Sequence, residues 1–212
     1  MSEGGVGSSS AVVPGPQIVM ARAAKQRGRI LDAAEQCFIK HGFHAASMAD
    51  IAQTADMSAG LIYRYFANKA AIVKAIIERH LESEHQEKMC KLESAQDITR
   101  SLLEVFESWR RRDDPKLNAT LMLELTAEST RDPEIARAVH TKDKAMGVSI
   151  AELVRRSARA RGVRLTPAAA RSRAVVLQCL VEGLAMRVVR DPKLQRSTIK
   201  PALEAVIDAL MS

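Results

Sequence analysis

Residues 47–73 read SMADIAQTADMSAGLIYRYFANKAAIV, and three helix starts are written into this one stretch. Ser47 stands three residues before Asp50, the acidic form of a capping box: the Ser hydroxyl accepts from the third helical amide, and the carboxylate answers the cap's own amide. A short helix runs from there through Ala55. Asp56, Met57 and Ser58 form a three-residue turn, and Ser58 caps a second short helix from Ala59 to Phe66. Asn68 caps a third. Two short helices joined this tightly are expected to form a helix-turn-helix and not a hairpin. Met48, Ile51, Ala52, Met57, Ile62 and Phe66 are spaced to make its small core. A surface of Ala59, Gly60, Leu61, Tyr63, Arg64 and Tyr65 is left on the second helix. Small residues at a helix start let backbone approach base edges, while Arg and Tyr side chains reach phosphates or bases.

Upstream, Ile30, Ala34, Cys37, Phe38 and His41 fall on one face of a helix over residues 24–41. It stops at Gly42, the residue suited to the left-handed position after a helix, and Phe43 folds back onto that face. The opening MSEGGVGSSSAVVPGPQ holds too much Gly, Ser and Pro to fold and lacks the layout of a secretion signal, so residues 1–23 are expected to be a disordered tail. Downstream, Ala71, Ile72, Ala75, Ile76 and Arg79 keep helical spacing to about residue 87, long enough to link two domains. Further helices are expected at 96–112, 116–130, 133–161, 167–190 and 199–211, separated by Pro, Gly and Asp. Apolar spacing is three and four throughout, and no stretch alternates as a strand does. The expected fold is all-α, with a three-helix DNA-binding domain at 24–70 and a helical domain at 71–212.

Composition sets the outer limits. The 212 residues are 47% hydrophobic and 27% charged, the balance of a globular protein, and no apolar run approaches the ~20 residues of a membrane span. Three cysteines lie far apart without a CxxC pair, which fits a reducing cytoplasm and gives no metal site. Cys37 and Cys179 fit apolar helix faces and are expected to be buried, leaving Cys90 as the plausible reactive thiol. Net charge is +7, with a sequence pI near 9.6. Residues 21–80 carry nine Lys or Arg against five Asp or Glu, and residues 81–212 carry twenty-three against nineteen, so the N-terminal part is about twice as basic per residue. This favours a polyanionic partner. Lys69 adds to the argument, because a cation in the first turn of a helix is opposed by the macrodipole by up to ~1 kcal/mol. A phosphate held by Lys69 and the amides after Asn68 would compensate it. No HExxH, phosphate-binding glycine loop or nucleophile motif is present, so no catalytic residue is assigned. A helical enzyme using Glu and His, or a scaffold with a vestigial DNA unit, are the competing readings; salt-dependent binding to its own promoter separates them from a regulator.

Residues 27–77 resemble the tetracycline-repressor (TetR/AcrR) family. The residues that carry the likeness are a helix ending in Phe38 and His41-Gly42-Phe43, then Ser47, Ile51-Ala52, Met57-Ser58, Gly60, Ile62-Tyr63, Tyr65-Phe66 and Asn68-Lys69. The resemblance implies phosphate contacts from Tyr63, Tyr65 and Lys69, a first-helix contact from Ser47, and base reading by Ala59 to Leu61. Ala59 stands where the family often has Lys, and Leu61 where it often has Thr, so the target sequence does not carry over. The family likeness further implies a ligand-released repressor that binds a palindromic operator in double-stranded DNA. Pairing into a homodimer would use the last two helices, here Val176, Leu180, Gly183, Leu184, Leu203, Val206, Ile207 and Leu210.

In the body, LELTAESTRDPEIARAV (123–139) looks like a stretch common in such regulators. The implied partner there is a small apolar or amphipathic effector, with no cofactor. Phe106, Trp109, Met122, Leu125 and Met146 suit either a ligand pocket or ordinary core packing. Glu124, Glu128 and His140 suit either the polar groups of such a site or an exposed or internally paired role. Arg155, Arg156, Arg159, Arg161, Arg164, Arg171 and Arg173 span a stretch without acids, read as a solvated face and helix-end charge or as an anion-binding surface.

Overall fold

The computed structural model describes residues 16–81, 91–111 and 118–212, and among these every regular element is a helix. The elements are α1 (Pro16–Ala45), α2 (Met48–Thr54), α3 (Ala59–Tyr65), α4 (Lys69–Leu81), α5 (Ala95–Arg111), α6 (Ala119–Ser129), α7 (Pro133–Ala160), α8 (Pro167–Arg190) and α9 (Arg196–Met211). The breaks fall where residue chemistry puts them. Asn118, Asp132 and Thr166 each accept amide hydrogen bonds at a helix start, and Pro133 and Pro167 occupy first-turn positions where no donor is lost. Gly42, with φ 76°, interrupts α1 where the sequence ends it.

Two expectations change. Helix α1 begins at Pro16 and not near residue 24. Pro16 presets the first helical φ, and Gln17 to Arg27 contain no Gly or further Pro, so the composition that marks the earlier residues as tail stops there. Residues 1–15, the end of the linking helix at 82–87 and Cys90 lie outside the described residues. Cys37 is buried, but Cys179 is exposed, because α8 turns its Leu177 row inward and its Cys179 row outward.

Three apolar clusters hold the helices. The first joins Ile30, Phe38, Ile51, Ile62 and Phe66 of the helix-turn-helix to Ile72, Val73 and Ile76 of α4. It continues into Leu121 and Leu125 of α6 and Ile135 of α7, so one core crosses the boundary expected at residue 70. The second packs α5, α7, α8 and α9 around Leu103, Leu153, Val154, Leu177 and Ile207. The third is small: Phe106, Trp109, Ala119, Ala185 and Val188, with Met122 against it. A buried ion pair braces the first cluster. Arg79 reaches Glu35, which is 1% exposed, at 2.8 Å and Asp32 at 2.7 Å. Burial works against the guanidinium charge, but the bonds to and charges of Glu35 and Asp32 outweigh it and raise the Arg79 pKa above its ordinary value.

Candidate nucleic-acid interface

Helices α2 and α3 are each closed at their start by a serine of the same stretch. Ser47 Oγ accepts from the Asp50 amide at 3.1 Å, and Asp50 Oδ2 accepts from the Ser47 amide at 2.8 Å and from its hydroxyl at 2.6 Å. These bonds, the hydroxyl first, hold the Asp50 carboxyl below its usual pKa. At the turn Asp56 takes φ 52°, a left-handed conformation that a short polar side chain tolerates. Ser58 Oγ then accepts from the Leu61 amide at 3.3 Å. Ile51 and Ile62 are fully buried beneath, so the angle between the two helices is set by packing.

On the outside, Ser47, Ser58, Ala59, Gly60, Tyr63 and Arg64 are all exposed. Tyr63 is 55% exposed, and a Cβ built at Gly60 would meet nothing within 4 Å. This is a polar rim around a bare helix start, the shape a groove accepts. Leu61 and Tyr65 are half-buried, and the Tyr65 ring packs against the first cluster.

Lys69 sits elsewhere than its expected role suggests. Its ammonium donates to the Phe43 and Ala46 carbonyls at 2.7 Å each and to the His44 carbonyl at 3.2 Å, and it lies 4.6 Å from the centre of the Phe43 ring. The oxygens that offset the unfavourable dipole are therefore those of the α1 end, and the Asn68 side chain takes the Ala71 amide at 2.8 Å. Arg29 does the same for α2, donating to the Ala55 carbonyl at 2.7 Å.

The joint with the body escaped the sequence reading. Glu124 of α6 accepts from the Phe43 amide at 2.9 Å, and Glu128, one turn on, meets His44 at 3.0 Å. The i, i+4 spacing of the two acids was visible, but not what they face. Of the other effector candidates, Phe106, Trp109 and Met122 meet in the third cluster, Leu125 belongs to the first, Met146 packs on the second, and His140 is exposed. The eight therefore do not line one site, because α6 and α7 each turn successive residues toward different neighbours. Beside Trp109, Asn118 and Val188 lies a cavity of about 10 Å³, room for one water. An open cleft of about 530 Å³ runs between α5 and α9, lined by Thr99, Arg100, Leu103, Arg196, Lys200 and Glu204 among others.

The expected pairing face also divides. Val176 and Val206 are 48% and 40% exposed, Gly183 is exposed, and Leu180, Leu184 and Leu210 are half-buried. Leu203 and Ile207 instead point into the second cluster, since a helix packed on its own chain gives its inner row to the core.

A helix-turn-helix with an open second helix, carried on a larger helical body, defines a helix-turn-helix regulator. Residues 30–76 match the family described as "Bacterial regulatory proteins, tetR family", and residues 95–212 match "BetI-type transcriptional repressor, C-terminal". The chain belongs to the tetR family and is a transcriptional regulator, not an enzyme. It is 28% identical over 137 residues to the transcriptional regulator UidR of Escherichia coli strain K12, covering 63% of this chain and 66% of that protein. The matched stretch is thus just under two thirds of the relative's length. The regulator TtgR of Pseudomonas putida is 35% identical over 89 residues, 40% of this chain and 42% of that one. Among solved structures, Salmonella enterica GusR superposes with a TM-score of 0.69 at 25% identity, covering 88% of this chain and 95% of that chain.

Proposed function

We propose that this protein is a ligand-released repressor that binds a palindromic operator as a homodimer in the cytoplasm. The observation that carries the reading is the exposed start of α3, where Ser58, Ala59 and Gly60 leave the backbone open and Tyr63 and Arg64 flank it. Ala59 to Leu61 read base edges in the major groove, while Ser47, Tyr63, Arg64 and the Tyr65 hydroxyl contact phosphates. Lys69 acts by holding the α1 end against α4, so it positions the reading helix and adds its charge to the local field. One short helix reads too few bases to be selective, so two copies set about 34 to 36 Å apart read one site. The α8 row of Val175, Val176, Cys179 and Met186, apolar yet exposed, is the face that pairs them.

Release follows from α6. Met122 lies against the third cluster, and Glu124 and Glu128 on the same helix hold Phe43 and His44 of the DNA-binding unit. A small apolar or amphipathic effector that displaces the Met122 side chain among Phe106 and Trp109 tilts α6 and carries the reading helix with it. No cofactor enters this scheme. A tenfold loss of operator affinity needs only ~1.4 kcal/mol of differential binding, and operator must then weaken effector binding by the same factor.

The test is footprinting of the DNA upstream of the protein's own gene across a salt series, with Gly60→Val as the control. Protection should cover two half-sites, and Gly60→Val should abolish it while the thermal transition is unchanged. Unprotected DNA at low salt, or a variant that protects as the wild type does, would overturn the reading.

A further inference from the structure

Helix α1 is longer than the DNA-binding fold needs. Among its described side chains the first that is buried is Ile30. The fourteen residues from Pro16 to Arg29 extend about 20 Å from the core at 1.5 Å per residue. A helical stretch whose described side chains bury so little gains little tertiary stability, so its composition reflects what it meets outside the chain. That composition is one-sided. Arg22, Lys25, Arg27 and Arg29 are its charges, and no acid occurs between Glu3 and Asp32.

The cations are also ordered. Arg22, Lys25 and Arg29 stand at i, i+3 and i+7, one stripe along the helix flank. Arg29 ends that stripe at the Ala55 carbonyl, the last turn of α2, and Arg27 lies 4.4 Å from the centre of the Phe66 ring at the end of α3. The stripe is therefore continuous with the helix-turn-helix. Arg22 and Lys25 are exposed, with no ion-pair partner among the described residues.

We propose that the flank of α1 formed by Arg22 and Lys25 is a second DNA-contacting surface, which grips backbone phosphates outside the stretch read by α3. This rests on the DNA-binding reading above and adds to it a contact that carries no base information. Charge complementarity and continuity with the reading surface select duplex DNA as the occupant. An apolar partner would leave both ammonium and guanidinium groups unmatched.

The experiment is fluorescence anisotropy of the full chain with a mixed-sequence duplex several helical turns long, repeated across a salt series. Arg22→Ala with Lys25→Ala should weaken binding about tenfold or more and lower the salt slope by about two per protomer. The exchange Arg22→Lys with Lys25→Arg should keep the slope. Arg159→Ala with Arg164→Ala, which removes the same charge from the far end of the body, should leave it unchanged. On the upstream DNA that the wild type protects, hydroxyl-radical protection should retreat at both outer edges in the first variant alone. Equal slopes in wild type and the first variant, or an equal loss in the body control, would overturn this inference while leaving the regulator reading intact. A wild-type chain that bound no duplex would overturn both.

Discussion

The DNA-reading end and the outer end of the body solve opposite problems. At the reading end several helix termini are capped from within. Ser47 and Asp50 close α2's start, Arg29 its end, and Lys69 the end of α1. A single core runs beneath them into α4, α6 and α7. The outer end is less closed: α8 leaves Val175, Val176 and Met186 exposed at 57%, 48% and 40%, and an open cleft runs along the packed pair α5 and α9. A rigid head suits reading a fixed double helix, since any mobility there would cost affinity on ordering. A body with unsatisfied apolar surface suits association and ligand entry, which both bury it.

Four measurements test that contrast. The largest effect is expected at the open face: Val175→Asp with Val176→Asp should raise the dimer Kd by about a hundredfold or more, because carboxylates would be buried without partners. Sedimentation at several concentrations reads it, and an unchanged mass would mean that the face is not where copies meet. Next is Arg79→Ala, which removes the guanidinium from a carboxylate that is 1% exposed. A loss of about 3 kcal/mol in chemical denaturation is expected, with much of it restored by adding Glu35→Leu. The reading end and α6 should melt together, and a separate early transition would break the one-core description. Glu124→Ala should cost about 1–3 kcal/mol by leaving the Phe43 amide without its acceptor. Glu124→Gln, which keeps an acceptor oxygen, should cost less, and it should also weaken any effector response measured through operator release.

The smallest effect is local. Ser47→Ala should cost about 1 kcal/mol as a lost cap. It should also remove an acid dependence, whose sign follows from Asp50. Its folded pKa is lowered by Ser47, so its contribution is fully present above the unfolded value near 4 and fades as pH falls through the folded one. Thermal melts at pH 7 and pH 3 should therefore differ less in Ser47→Ala than in wild type. An identical pH dependence would mean that Asp50 contributes through another group.

The legible parts of the sequence share one property: their cause lies within four or five residues. The capping box at Ser47, the Asp56 turn, the Ser58 cap and the Gly42 break are each local, and the structure places them where residue chemistry does. The helix boundaries set by Asp132-Pro133 and Thr166-Pro167 are equally local. The α1 start at Pro16 is hard to read because Gly-, Ser- and Pro-rich residues run directly up to it.

Which partner each side chain meets is set by packing over long range. Lys69 shows the division. From sequence its charge at a helix start demanded compensating oxygen, and the demand was real. The oxygens came from carbonyls 43, 44 and 46, more than twenty residues earlier. Glu124 and Glu128 stood among apolar neighbours in the sequence and could have faced a ligand, solvent or each other; packing α6 against α1 gave them Phe43 and His44. Leu203 and Ile207 matched a dimer face by period, but period cannot say whether an apolar row faces its own chain or another. Helix starts, turns and the all-helical class follow from short-range sterics and hydrogen bonds, which the chain states in order. Pairings depend on how distant surfaces fill space together, and that is settled only when the whole core closes.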